Sequence, residues 1–410
     1  MPDQPHRPVV IIVPVYLGLQ ATKNCLESLQ GSDLPDWASV LLINDASPDP
    51  QIARYCEQAA ASAGFELWTN SENLGFVKTV NRGCAYQQDA DVILLNSDTV
   101  VAGNWIERLR ACADCAPDIG TVTPLSNNGT ICSYPVFLQP SPLPASWSQP
   151  ELDELAARVN AGQVVNIPTG VGFCLYIKRR CLIAVGEFNA ERFGHGYGEE
   201  CDFSLRAAEK GWRNVAAADV FVFHEGGISF AEQAEPRKLH AEAVLAELHP
   251  SYQADVLAFI EADPLAGMRR ALDMARLQAK PQAGDEVLVE QERHHARMGA
   301  ELSRRLEIAQ RDIQEELRQK AALETHLHEC RQAFAATDTA LKDAQQMIVN
   351  LREEIVEVTQ RLQDASNTVH ARNEELGHLQ AHLSALEAKL ADMENSRSWR
   401  YTAWLRRSGS

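Results

Sequence analysis

Residues 91 to 101 read DVILLNSDTVV, four apolar residues from Val92 to Leu95 running without interruption into Asn96-Ser97-Asp98. An unbroken apolar run of this length fits a strand buried on both faces, as in a parallel sheet. Such a strand stops at the carboxyl edge, where open α/β sheets bind ligands. The carboxylate delivered there, Asp98, can hold a hard divalent cation against a diphosphate. Taken alone, the segment is more plainly a strand followed by a polar turn, and it is the flanking sequence that changes this reading.

Upstream, Pro8 to Val15 is a second apolar run, Leu19 to Leu29 has helical spacing, and Val40 to Ile43 is a strand ending on Asn44-Asp45. Gln51 to Ala63 is helical, Phe65 to Thr69 extended, and Gly75 to Tyr86 helical again. Asn104 to Ala113 and Gly120 to Thr123 add a helix and a strand after the central segment. This βαβα order predicts an α/β fold with a doubly wound, mostly parallel sheet. Right-handed crossovers would then gather the strand ends on one edge. Downstream, Pro135, Pro140, Pro142, Pro144 and Pro150 mark an irregular loop. Leu152 to Val159 reads as a helix, Val171 to Ile177 as a strand, Glu199 to Lys210 as a helix stopped by Gly211, and Val215 to His224 as one or two strands. Residues 232–284 read as a helical connector punctuated by Pro250 and Pro264.

The chain has 410 residues, 45% of them hydrophobic, and a formal net charge of −18, which disfavours nonspecific nucleic-acid binding. Ten cysteines without regular spacing fit reduced thiols in a cytoplasmic setting better than a disulfide framework. Cys112 and Cys115 form a lone CxxC, read as a half-buried helix face rather than a zinc or redox site. No signal-peptide pattern opens the sequence, and no apolar run approaches the ~18 residues needed to span a bilayer. Asn128-Gly129-Thr130 reads as an ordinary turn.

From about Leu302 to Met393 the pattern changes. Alternating steps of three and four from Leu306 land on Ala309, Ile313, Leu323, Leu327 and onward to Leu386, Leu390 and Met393. Only Glu316, Lys320, Thr337 and Arg372 break the seam, and no proline interrupts it. This predicts a long α-helical coiled coil over 285–395, roughly 140 Å long if it is one helix. A stripe of that kind needs a partner, so self-association as a dimer or trimer follows; a folded-back hairpin is the alternative. The last segment, 396–410, carries Trp399, Tyr401, Trp404 and Leu405 among four arginines. It could lie at an anionic membrane surface, dock into a following domain, or be a frayed helix end.

Five segments carry candidate chemistry. Asp45 ends the second strand and can accept a hydrogen bond from a nucleotide base, or cap a turn. In NLGFVKTVNRG, residues 73–83, Lys78 or Arg82 could face a diphosphate, or lie on a solvated helix. Asn96-Ser97-Asp98 offers a thin cation site that suits Mg²⁺, which takes remaining ligands from water and phosphate. In HGYGEECDFSLR, residues 195–206, Glu199, Glu200 and Asp202 crowd three acids into one helical turn. Capping explains one or two of them; crowding can raise one toward the range of a general base. His224 closes the apolar strand VFVFH and is a fair further ligand for Mg²⁺ or Mn²⁺.

Taken in order, VVIIVPVY, the Asp45 strand end, NLGFVKTVNRG, LLNSDT, GEECDFSLR and VFHEGGIS resemble an inverting family 2 glycosyltransferase. The resemblance spans residues 8 to about 230 and implies a GT-A domain over 1–231. PLSNNGTICSYP, residues 124–135, further resembles a bacterial rhamnosyltransferase-like subgroup that builds surface polysaccharides. HPSY at 249–252 and ADPL at 262–265 resemble segments of large multidomain members. The resemblance implies that Asp45 binds the donor base; Asn73, Lys78, Asn81, Arg82, Asn96 and Ser97 are the further candidate donor contacts. It implies Asp98 and His224 as ligands of Mg²⁺ or Mn²⁺, and Glu200 as the base that deprotonates an acceptor hydroxyl. Asn96 stands where the family has its first metal-motif Asp, and Glu200 where it has Asp, leaving Glu199 and Asp202 as rivals. The expected partners are a nucleotide-sugar donor, a lipid-linked glycan acceptor and a second copy of the chain. Two other readings remain: a coiled-coil scaffold with a degenerate sugar-nucleotide-binding domain, and a nucleotidyltransferase, which lacks support for want of a glycine-rich phosphate loop after the first strand.

Overall fold

The computed structural model describes residues 7–194, 196–226, 234–335 and 341–395. The first compact unit, residues 1–290, is built on a nine-stranded sheet. Its elements run β1 (Val9–Val15), α1 (Leu19–Gly31), β2 (Ala38–Asn44), α2 (Pro50–Ala63), β3 (Glu66–Thr69), α3 (Phe76–Cys84), β4 (Asp91–Leu95) and β5 (Thr99–Val100). There follow α4 (Trp105–Asp114), β6 (Ile119–Ser126), α5 (Gln149–Val159), β7 (Val164–Asn166), β8 (Cys174–Ile177), α6 (Arg179–Val185), α7 (Ala190–Phe193), α8 (Glu199–Glu209) and β9 (Arg213–His224). Three helices, α9 (Ala234–Leu248), α10 (Tyr252–Ala262) and α11 (Ala266–Ala279), come before a long one, α12 (Gly284–Ala335).

The sheet order is β3-β2-β1-β4-β8-β6-β9-β5, with β7 on β9. The N-terminal half is parallel throughout, as the βαβα pattern predicts. The other half is mixed: β8 runs antiparallel to both β4 and β6, and β9 is parallel to β6 but antiparallel to β5 and β7. The apolar runs are continuous because both faces of the sheet are covered. In β1, Val9, Ile11, Val13 and Val15 point into one apolar layer with Leu26, Ile52, Trp105 and Ile106. Val10 and Ile12 point into the opposite layer with Val77, Val80, Phe203 and Leu245. That alternation is the two-residue period of a strand read against helices on each side.

The helices expected as a connector belong to this same unit. Ala241, Val244 and Leu245 of α9 are buried against Phe193 and Phe203, and α11 packs on α5. The proline-rich stretch before α5 is held down by polar anchors. Tyr134 donates its hydroxyl to Asp273 at 2.9 Å and accepts from Arg276 at 3.1 Å. Arg276, fully buried, makes a forked pair with Glu290 at 2.5 and 3.2 Å. Lys280 bonds the Ser146 carbonyl at 2.6 Å and Glu151 at 2.7 Å.

In the second unit, residues 291–410, the helical stripe occupies the rest of α12 and α13 (Leu341–Asn395). Ion pairs Arg305–Glu375 at 3.6 Å and Asp312–Arg372 at 3.3 Å set the two side by side. With five residues between the helices, contacts so far from both facing ends require an antiparallel pair. This differs from the single uninterrupted helix expected from the heptads. A lone stripe must find a partner, and the second helix of the same chain supplies one. Ala309, Ile313 and Leu379 of the seam are buried, whereas Leu306, Leu323, Ile355, Leu362 and Leu376 are only half-buried. The seam side chains of Leu327, Cys330, Phe334, Leu341 and Ala344, and the basic aromatic segment 396–410, lie outside the described residues. Among the described residues, no helix is long and apolar enough to cross a membrane.

The Arg276 pair makes a stability prediction. Arg276→Met removes the forked ion pair from the buried Glu290 carboxylate and should destabilise the protein by about 3–5 kcal/mol. Arg276→Met combined with Glu290→Leu should recover most of that loss, as read from urea denaturation of the two variants.

Candidate active site

Four main-chain segments meet at the carboxyl edge around β8. The Asn96 N–H, at the end of β4, donates to the Phe173 carbonyl at 2.9 Å. The Phe173 ring stacks on His224 with centroids 5.3 Å apart and an interplanar angle of 18°. Gly172, one residue earlier, lies against Glu200: a methyl built on it would stand 3.6 Å from the Glu200 carboxyl carbon. His224 closes β9 opposite Thr99 of β5, and its Nε2 lies 3.5 Å from Asp98 Oδ1. Asp98, His224 and Glu200, read from three distant segments, therefore gather around Gly172-Phe173.

His224 is oriented by residues whose role the sequence did not expose. Its Nδ1–H donates to the Asn128 carbonyl at 2.8 Å. The Asn127 amide accepts from the His224 N–H at 2.8 Å and donates to the His224 carbonyl at 3.1 Å. The carbonyl at Nδ1 fixes the tautomer, so in the neutral ring Nε2 carries a lone pair. Two lone-pair donors then face each other across 3.5 Å, an arrangement that calls for a proton or a cation between them. The carbonyl behind a ligand histidine is also the usual outer support of a metal site. Among the described residues no group of three or more His, Cys, Asp or Glu could hold an ion by itself. The pair thus fits Mg²⁺ or Mn²⁺ that takes its remaining ligands from substrate and water. Burial works to lower the His224 pKa, but the hydrogen bond and charge of Asp98, with the Asn128 carbonyl, outweigh it and leave it raised.

The three acids of α8 separate by environment. Asp202 is buried and saturated, with Oδ2 bound by Arg206 at 2.8 Å and Oδ1 facing His249 Nε2 at 3.0 Å. Asp202, a rival candidate for the base, thus has both oxygens engaged by neighbouring side chains. Glu199 is buried, with Oε2 unpaired, and its pKa is pushed well up by burial and then by the charge of Glu200. Glu200 is half-buried. Burial raises its pKa, while main-chain N–H groups at Glu200, Gly198, Cys201 and Gly172 pull it partly back. Tyr197, at φ 72, sits between Gly196 and Gly198 at φ 133 and 85, in the left-handed region unusual for a non-glycine residue. Burial pushes its hydroxyl pKa up, against the charges of Lys238 and Arg237, with smaller upward effects of Glu199 and Asp98. His195, in the same loop, lies outside the described residues, as do residues 227–229 of the VFHEGGIS motif.

The donor-side residues form a separate network. Asp45 is buried and accepts from Asn70 at 2.6 Å and from the N–H groups of Leu74 and Gly75 at 2.9 Å each. Asn73 Oδ1 accepts from the Gly75 N–H at 2.8 Å. Asp45 therefore shapes the 70–75 loop, and its two oxygens retain limited acceptor capacity for a ligand. It follows β2, two strands from β4, about 10 Å along the same edge. Arg82 donates to Asn70 Oδ1 and covers the Trp68 ring at 4.8 Å, so it is turned to that network rather than to a phosphate. Asn81, another candidate donor contact, is engaged within the fold: its amide donates to the Phe188 carbonyl at 2.8 Å and accepts from the Phe188 N–H at 3.0 Å, tying α3 to the segment before α7. Lys78 is exposed, Asn96 half-buried and Ser97 buried at the strand end.

The sequence profile of the glycosyltransferase-like family 2 matches residues 5–246. Among solved structures, GalNAc-T7 with UDP, GalNAc and Mn²⁺ is similar at 16% identity and a TM-score of 0.43; the match covers 54% of this chain and 44% of that enzyme. The mannosyltransferase PcManGT from Pyrobaculum calidifontis, in complex with GDP-Man and Mn²⁺, is similar at 18% identity and TM-score 0.40, covering 72% and 89%. S. aureus TarS 1-349 in complex with UDP-GlcNAc is similar at 15% identity and TM-score 0.41, covering 70% and 83%. No curated protein matches the chain.

The Asp98–His224 contact predicts a pH signature. Because the folded-state His224 pKa is raised, the contact adds stability that is complete below the ordinary value of about 6.5 and is lost as pH rises through the folded value. Asp98→Asn should therefore cost more stability at about pH 5.5 than at about pH 9. It should also lower the His224 pKa followed by NMR of the ring protons.

Proposed function

This chain belongs to the glycosyltransferase-like family 2, and from that premise we propose that it is an inverting sugar transferase dependent on Mg²⁺ or Mn²⁺. It moves a sugar from a nucleotide diphosphate donor to a hydroxyl of a growing, lipid-linked bacterial surface polysaccharide such as O-antigen. dTDP-rhamnose is the first donor to test, followed by UDP- and GDP-sugars; this choice rests on the resemblance carried by residues 124–135. The observation that carries the reading is the Asp98–His224 pair at 3.5 Å, backed by Phe173, with Glu200 against the adjoining Gly172.

Asp98 and His224 would hold the cation, which when bound neutralises charge on the departing diphosphate. The loop shaped by Asp45, with Asn73 and the exposed Lys78, supplies the side of the edge where the nucleotide lies. Glu200, half-buried and with its pKa raised, accepts the proton of the acceptor hydroxyl. The acceptor oxygen bonds to the anomeric carbon as the bond from that carbon to the diphosphate oxygen breaks on the opposite face, which inverts the configuration. The chain works in the cytoplasm, self-associates through the half-buried helical seam, and contacts the inner membrane face or a further domain through 396–410.

Purified protein should release nucleoside diphosphate from a matching sugar nucleotide only with Mg²⁺ or Mn²⁺, and chelation should stop it. Asp98→Ala and Glu200→Gln should each lower turnover by about 100-fold or more with an unchanged circular-dichroism spectrum. Normal turnover by Glu200→Gln would overturn the base assignment, and a wild-type protein that binds a donor but never turns it over would be the degenerate binding domain. Sedimentation at micromolar concentration should give a species larger than the 45.3 kDa monomer.

A further inference from the structure

The segment His249-Pro250-Ser251-Tyr252 lies just past the residues matched by the family profile, and none of the chemistry above uses it. It forms the turn between α9 and α10, closed by the Tyr252 N–H donating to the His249 carbonyl at 3.0 Å. Both side chains of this turn reach the first turn of α8. His249 Nε2 faces Asp202 Oδ1 at 3.0 Å, with both residues buried. The Tyr252 hydroxyl donates to Cys201 Sγ at 3.3 Å, and the same sulfur meets the Thr169 hydroxyl at 3.8 Å. Residues 201 and 202, which follow Glu200 directly, are thus each tied to one external turn.

The start of α8 needs outside support. Its N-cap is Gly198, which makes no side-chain capping bond. Gly194, Gly196 and Gly198 before it all have positive φ. A helix start without an N-cap side chain frays more readily than a capped one, and Glu199, Glu200 and Asp202 all lie in that turn. Fraying would swing Glu200 away from Gly172.

We propose that His249 and Tyr252 are positioning residues, a clamp that fixes the first turn of α8 and so aims the Glu200 carboxylate at the Gly172-Phe173 edge. The proposal rests on the reading of Glu200 as the base. A base misplaced by about 1 Å can lose on the order of 100-fold in rate while donor binding, made elsewhere on the edge, stays intact.

The test is steady-state release of nucleoside diphosphate by the full chain carrying Tyr252→Phe, His249→Ala or His249→Gln. Tyr252→Phe keeps the ring and removes only the hydroxyl, so it preserves packing; thermal melting checks that each variant is folded. Tyr252→Phe and His249→Ala should lower kcat about 10-fold or more with donor KM within about 2-fold, and His249→Gln, which can still donate to Asp202, should recover most of the loss. Wild-type kcat in folded Tyr252→Phe and His249→Ala, or a raised donor KM at unchanged kcat, overturns the clamp. Inactive Glu200→Gln beside clamp variants that behave as wild type overturns the clamp alone; active Glu200→Gln removes the base reading and the clamp together.

Discussion

The antiparallel insertion of β8 between β4 and β6 is the constraint on which the candidate site depends. In an all-parallel sheet every strand would end at the carboxyl edge. Because β8 runs the other way, it begins there, and Gly172-Phe173 arrive at the edge ahead of it. One dipeptide then serves three neighbours: the Phe173 carbonyl takes the β4 end, its ring backs His224, and the bare Gly172 leaves room for Glu200. The β8 register is locked at its far end, where Tyr176 donates to buried Asp91 at 2.7 Å and the Arg179 N–H does so at 2.7 Å. A buried carboxylate with its hydrogen bonds made resists slippage, since any shift leaves it unpaired.

Around that edge, polar side chains carry positional information over long sequence distances. Asn127 and Asn128 set the His224 ring, and they sit in the stretch whose later part is anchored through Tyr134 to Asp273 and Arg276. The helices after β9 are therefore part of the catalytic unit's scaffold. α9 covers one apolar layer, α11 pins the loop that supports His224, and the turn after α9 grips α8. Each of these groups is desolvated, so each is useful only while its partner stays in place.

Much of the chain was legible because its signals are local. The continuous apolar runs announced strands covered on both faces, and β1, β2 and β4 lie where those runs fall. Asp98 and His224 were readable as polar residues closing apolar strands. The three acids of α8 were not separable by sequence, since neighbouring positions on a helix differ by about 100° in direction. Asp202 turned toward Arg206 and His249, while Glu200 turned toward Gly172. Asn81 and Arg82 looked like donor contacts on an amphipathic helix, yet their partners, Phe188 and the Asn70–Trp68 pair, lie on other elements. The heptad stripe was equally plain, but a stripe records only that a partner is needed.

The sequence by itself determined the elements, the edge at which they end and the residue types available there, because these follow from hydrophobic period and chain punctuation. Tertiary structure alone decided the direction of β8, the separate surroundings of the three acids of α8, what holds His224 in its tautomer, and that the second long helix answers the first. These depend on pairings between residues far apart in the chain, where desolvation and hydrogen-bond geometry select among alternatives that local propensity leaves equal.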